Sequence, residues 1–524
     1  MFETTGSTPP AMFSHLPRGW RAPLARRRTH LILAALLGTS MWLQLHSILF
    51  HDQAWIIHGT EVLLNGGRLY REVFEVNPPL IFYLTAPPVW VAHLLGVFDV
   101  NVFIIYVFIL IAICLTLLQA VLRGDGSLSP KLREPFLLSV AVVLAIFPAE
   151  RFGQREHLML ILSLPYLLLV GTRSRHFPVG TPLALLIGAV AAFGFALKPH
   201  FLLVPAAAEC YLAVRSGGLR RCIRPETLAL AGIVLLYAAS ILYFTPDYLT
   251  VIVPFALEVY GLGYGSPLLV VLARPELILL PVAVLFHLHS RSRQYFPQMG
   301  DILTISSGCF FVIYVMQMKG WEYHIYPLDA TLFLLLTSTF LQSDALEPLS
   351  WRYPYLSTIA IGLSICILTT AGSVRLYNYV FKSYNEFMRE MAPFVLSIPS
   401  GSSIYVFSAG VFNGFPFVNY YGLGWPSRFD TFWLLPGLVT EPRPSPRIEK
   451  FLRDAVVADL TKQPPALIFV DVGPRRYRFE TLDFDYIRYF SADPRFVAIW
   501  SHYDEVASVG EFRVYRRHLA GGRE

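Results

Sequence analysis

In FHDQAWIIHG (50–59) an aspartate follows directly on an apolar run, with His51, Gln53 and His58 beside it. A carboxylate in that position can take a proton at a membrane boundary. The same stretch continues through Glu61, Arg68, Tyr70, Glu72, Glu75 and Asn77. Three more short polar stretches interrupt apolar sequence. AERFGQREH (149–157) carries Glu150, Arg151, Gln154, Arg155, Glu156 and His157. LKPHF (197–201) sets Lys198 and His200 either side of a proline, and QMKGWEYHIYP (317–327) holds Lys319, Glu322, Tyr323 and His324. Each has a plain structural explanation when taken alone. A lysine at the end of a span snorkels to the headgroups, a boundary histidine hydrogen-bonds locally, and charges in one loop pair with one another. Taken together they ask for more, because a charge near the bilayer centre costs ~2.5–3.5 kcal/mol and less towards the edge. A set of Lys, Arg and His converging with carboxylates fits a ligand that compensates that cost, such as an anion with a lipid tail.

The elements that must position these groups are membrane helices. The chain has 524 residues, 55% hydrophobic and 15% charged, with a mean hydropathy of +0.51. Soluble domains carry roughly a quarter charged residues. The net charge of +6 is spread in short clusters between apolar runs, which argues for loops flanking spans and against nucleic acid as a partner. The five cysteines, at 114, 210, 222, 309 and 366, include no CxxC pair and imply neither a disulfide framework nor a zinc site.

Arg18, Arg21, Arg26, Arg27 and Arg28 precede an apolar run at 31–50 that reads as a signal anchor, with residues 1–30 a cytoplasmic tail. Further spans are predicted near 101–122, 136–149, 157–171, 181–197, 200–214, 227–245, 267–288, 301–317, 324–342 and 354–374, about 11 in all. The segment 79–97 is apolar but contains Pro87 and Pro88. If it lies in the interface as a juxtamembrane helix, the basic clusters at 123–133, 173–175, 215–224, 291–293 and 352 all fall on the cytoplasmic side, as the positive-inside rule requires. The four polar stretches then lie outside, the first within an external loop at 51–100. The nearly uncharged segment 246–266 reads as a second interfacial element.

Residues 31–374 thus form an all-α polytopic membrane bundle, and the texture changes at 375–524. Strand-like runs at 402–408, 466–472, 496–500 and 511–517 predict a small C-terminal α/β domain outside the membrane. The aromatic and arginine content of 420–433 suits either core packing or a carbohydrate-facing loop.

The order of an Asp after the first span and then LLNGGRLYREVFEVNPPLIFYL (63–84) resembles the first external loop of GT-C superfamily glycosyltransferases. These include protein O-mannosyltransferases (family 39) and the lipid A aminoarabinose transferase. GQREHLMLIL (153–162), LKPHF and KGWEYHIYP continue the likeness over about 340 residues, mostly as hydropathy and loop order. The resemblance implies a GT-C-like bundle in the inner membrane of a bacterium, with the C-terminal domain periplasmic. It also implies a polyprenyl-phosphate sugar donor, an extracytoplasmic acceptor (glycan, lipid or protein) and inversion at the anomeric carbon. Asp52 is then the expected general base, with Glu156 the second acid. Arg155, Lys198, His200, Lys319 and His324 are the expected groups for the donor phosphate, and His51, Tyr70, Glu75 and Asn77 are supporting. Many members have Asp-Glu at the first site, whereas Gln53 follows Asp52 here, and the second acid is Glu156 or Glu150 rather than Asp. A divalent metal, Mg or Mn, is therefore left open as a cofactor. The alternative reading is a transporter or flippase for a lipid-linked or envelope substrate.

Overall fold

The computed structural model describes residues 18–124, 130–342, 385–440, 445–474, 476–479 and 484–518. The first part is helical: α1 (Arg18–Leu45), α2 (His51–Leu64), α3 (Leu80–Leu95), α4 (Asp99–Gly124), α5 (Pro130–Ala145), α6 (Arg155–Arg173), α7 (Thr181–Phe195), α8 (Leu203–Ser216) and α9 (Pro225–Phe244). Short helical turns occupy 248–264, and the helices Glu276–Ser290, Pro297–Met316 and Glu322–Gln342 complete the bundle. Among the described helices four are both long and apolar enough to cross a bilayer: α4, α9, Pro297–Met316 and Glu322–Gln342. The chain is an integral membrane protein. The expected span at 354–374 lies outside the described residues.

Two expected elements differ. The span predicted at 267–288 is broken into Leu268–Leu272 and Glu276–Ser290. Arg274-Pro275 is the cause, since proline removes a backbone donor and disfavours helix at the preceding residue. The first span ends at Leu45, and the chain turns before α2 starts at His51.

At 16 residues, α3 is about 24 Å long, shorter than a hydrocarbon core of about 30 Å. Gly96, at φ +62°, caps its end. Its packing on α2 depends on Gly59, where a Cβ would come within 2.7 Å of the Phe82 ring and 2.8 Å of Val73.

Successive helices alternate in direction, so the connections at 46–98, 146–154, 196–202, 245–275 and 317–321 gather at one end of the bundle. At the other end the arginines are paired: Arg173 with Glu226 (2.9 Å), Arg224 with Glu209 (2.5 Å) and Arg291 with Asp301 (2.7 Å).

The C-terminal part has a four-stranded sheet, β1 (Ile404–Phe407), β2 (Leu467–Asp471), β3 (Tyr503–Val509) and β4 (Phe512–Arg517), in the order β1-β2-β4-β3. β1 and β2 are parallel and the other pairs antiparallel. The strand expected at 496–500 is instead the helix Pro494–Trp500. Asp493 accepts a hydrogen bond from the Arg495 N–H as its N-cap and Pro494 occupies the first turn, while Phe496 and Trp500, one turn apart, pack on Phe407. The missed strand is YDEVASV (503–509), which alternates weakly because it forms a sheet edge.

This domain is seated on the open end of the bundle. The Phe74 N–H donates to the Arg428 carbonyl at 2.7 Å, and the Phe74 ring packs among Phe255, Phe429, Trp433 and Phe451.

Candidate active site

A cavity of about 680 Å³ lies where the bundle connections meet the C-terminal domain. Asp52, in the first turn of α2, faces it with its side chain 20% exposed. Its Oδ2 accepts hydrogen bonds from Gln154 Nε2 at 2.9 Å and Arg155 Nη2 at 3.1 Å, and Nε2 of His51 lies 3.2 Å from Oδ1. Burial alone would raise the pKa of this carboxyl, but His51, Arg155 and Gln154 outweigh it and hold the group well below the usual carboxylate range.

Glu156 is not on the cavity wall. Its carboxylate is 1% exposed behind the wall, where Lys198 Nζ donates to Oε1 at 2.6 Å and His324 Nε2 stands 3.9 Å away. Oε2 of Glu156, Nδ1 of His324, Nε2 of His200 and Nε of Arg155 are buried without hydrogen-bond partners among the described residues. Lys198, His200, His324 and Arg155 themselves line the cavity. They form a cationic and N–H-rich flank with unused donor capacity, which suits an incoming anion. His200 is not one of its positive charges at neutral pH: burial, and then Lys198, push the imidazole down to about 3.

Lys319 reaches the same cavity from the loop 317–321, whose tight path uses φ +49° at Met318 and +65° at Gly320. Its ammonium lies 3.3 Å from the centroid of the Tyr260 ring and 4.6 Å from that of Trp321. Among the described residues no carboxylate is within ion-pair distance of it. Burial, and then Lys198, Arg478 and Arg155, lower it to about 6.

Tyr70, Glu75 and Asn77 brace the first loop. Glu75 accepts from Trp55 Nε1 at 2.8 Å and from both the side-chain amide and the backbone N–H of Asn77, while Tyr70 Oη donates to the Asn77 carbonyl at 2.9 Å. Glu75 and Asn77 also line the cavity.

Sequence reading missed Arg274, because hydropathy averaged over 267–288 hid the two charges, Arg274 and Glu276, that flank Pro275. Arg274 lines the cavity, hydrogen-bonds the Gly320 carbonyl and lies 3.6 Å from Glu322. It also lines an apolar groove formed by Leu272, Leu277, Ile278, Pro281 and Phe311. Phe412 and Tyr477, from the C-terminal domain, were missed as well, with no local sequence signal to mark them; Asp430 was not named, although it lies in the 420–433 stretch.

Among the described residues no group of three or more His, Cys, Asp or Glu side chains is placed to hold a metal ion. Both Asp52 oxygens face N–H groups, so the donor set present does not fit a hard cation.

No family model matches the sequence, and no curated relative does. The crystal structure of ArnT from Cupriavidus metallidurans bound to undecaprenyl phosphate aligns over 97% of this chain and 100% of its own, at 12% identity and a TM-score of 0.56. The same protein in the apo state aligns over 94% and 98%, at 10% identity and 0.57. The chain has the fold of ArnT. The likeness is one of fold, across the helical bundle and the C-terminal domain together. A third structure, the arabinofuranosyltransferase AftD from Mycobacteria, aligns over 97% of this chain and 40% of its own at 14% identity, with a TM-score of 0.44.

Proposed function

We propose that this protein is a membrane glycosyltransferase that moves a sugar from a polyprenyl-phosphate donor to an extracytoplasmic acceptor, with inversion and with Asp52 as general base. The observation that carries this reading is a single cavity lined by Asp52 with Arg155 bonded to it, and by Lys198, Lys319 and Arg274, in a fold shared with ArnT. That relative's structure is bound to undecaprenyl phosphate. On this reading the donor phosphate occupies the cationic flank. Its lipid tail leaves along the apolar groove that shares Arg274 with the cavity.

The acceptor oxygen attacks the anomeric carbon as the carbon–oxygen bond to phosphate breaks, and the leaving lipid phosphate takes the bonding electrons. Lys198, Lys319 and Arg274 stabilise the charge that gathers there. The acceptor proton passes to Asp52. A carboxylate held by several donors is a weak base, which suffices because the acceptor oxygen becomes strongly acidic once it bonds to the sugar, so the proton moves late. The acidic role expected for Glu156 gives way in this proposal to a counterion role: it keeps Lys198 charged and aimed. No step is routed through a metal.

The test is transfer of label from a polyprenyl-phosphate sugar in membrane vesicles, wild type against Asp52→Asn. The variant should lose about 10²–10⁴ of the rate while still binding donor. Equal transfer by both proteins would contradict the base assignment. Movement of the lipid across the bilayer without any transfer would favour the transporter reading.

A further inference from the structure

The mechanism above uses no residue of the C-terminal domain, yet three loops of that domain reach the cavity. Two of them follow β1 and β2, and ligands of open α/β sheets bind beyond the C-terminal ends of parallel strands. Ser408, directly after β1, ties the loops together. Its Oγ accepts from the Gly410 N–H at 3.1 Å and Asn413 Nδ2 at 2.8 Å, and donates to Asp471, the last residue of β2, at 3.3 Å. Its carbonyl accepts from Thr431 Oγ1 at 2.7 Å and the Phe432 N–H at 3.2 Å.

From this base Phe412, Asp430 and Tyr477 line the cavity. The Phe412 and Tyr477 rings meet edge to face at 5.5 Å, and Phe412 lies 6.3 Å from the His51 ring beside Asp52. Asp430 has no cation within ion-pair distance among the described residues; one of its oxygens accepts from the Thr431 N–H at 2.7 Å. Burial first, then the charges of Glu75 and Asp52, push its carboxyl well above the usual range. A carboxyl group hydrogen-bonds hydroxyls, and paired aromatic rings offer flat apolar faces. That combination suits a hydroxylated ring and places no cation against a phosphate.

We propose that Phe412, Asp430 and Tyr477 form the wall that binds the sugar ring being transferred, so that the C-terminal domain sets donor-sugar specificity. This inference rests on the transferase reading.

The experiment measures binding of undecaprenyl phosphate, bare or carrying mannose, glucose or arabinose, to the full-length protein in lipid nanodiscs. Wild type should bind at least one glycosylated lipid more tightly than the bare lipid. Asp430→Ala and Tyr477→Ala should each reduce that advantage about tenfold, with bare-lipid affinity unchanged as the control for folding. An advantage retained in both variants, or a wild type that binds bare and glycosylated lipids equally, overturns this inference and leaves the transferase reading intact. A wild type that binds neither lipid overturns both.

Discussion

Lys319 and Asp52 face one cavity, and both titrate below the usual range of their types, which favours charge on the aspartate and disfavours it on the lysine. Lysine held near 6 is largely neutral at pH 7 when the site holds no anion, because burial, and then the charges of Lys198, Arg478 and Arg155, outweigh the attraction of Asp52. A bound phosphate reverses that balance and favours the ammonium, so binding takes up a proton. Affinity for undecaprenyl phosphate should therefore fall as pH rises above about 6, and calorimetry in buffers of different ionisation enthalpy should show proton uptake. A pH-independent affinity between 5 and 8 would contradict this. His200, neutral throughout that window, does not add to the effect. The buried Lys198–Glu156 pair gives a second prediction at this scale. Lys198→Met leaves a buried carboxylate without its partner and should cost about 3–5 kcal/mol in unfolding experiments. Adding Glu156→Leu should restore much of the stability and none of the transfer. If the double variant stays as unstable as the single one, the pair is not what holds this flank together.

The elements that carry these groups depend on close approach at small residues. On α7, a Cβ at Gly188 would stand 2.1 Å from the Glu226 carbonyl oxygen of α9. Because α9 is otherwise largely turned to lipid, Gly188→Val should detach it and lower thermal stability, with backbone and not a flexible side chain in the way. Unchanged melting would refute the contact. Most helices were legible in the sequence because runs of Leu, Ile, Val and Phe between basic clusters leave little choice of structure. The first loop was legible for the opposite reason: Asp52 and Glu75 stand out where apolar residues surround them. Arg274 was not, since it and Glu276 disappear in a window of aliphatic residues, and the Pro275 between them was the signal to weigh. FVAIW misled because its residue types suit a strand, while the helix-starting Asp493-Pro494 pair lies outside the run.

At the scale of the whole molecule the cavity exists only when the C-terminal domain is seated on the bundle, and that docking is not encoded locally. Asp430 meets Glu75 across most of the length of the chain. Gly437 shows how tight the seating is, since a Cβ there would lie 2.1 Å from the Val259 carbonyl oxygen. Gly437→Val should unseat the domain, abolish transfer and expose the 385–440 region to limited proteolysis, while the membrane bundle stays folded; an active, protease-resistant variant would show that the seating is dispensable. The central claim is that one cavity holds a lipid phosphate opposite Asp52. It is tested most directly by an experimental structure of the protein with undecaprenyl phosphate. The account predicts the phosphate within hydrogen-bond reach of Lys198, Lys319 or Arg274, with the tail along the groove of Leu272, Ile278 and Phe311. A phosphate bound at the opposite end of the bundle, beside the Arg224–Glu209 pairs, would contradict it.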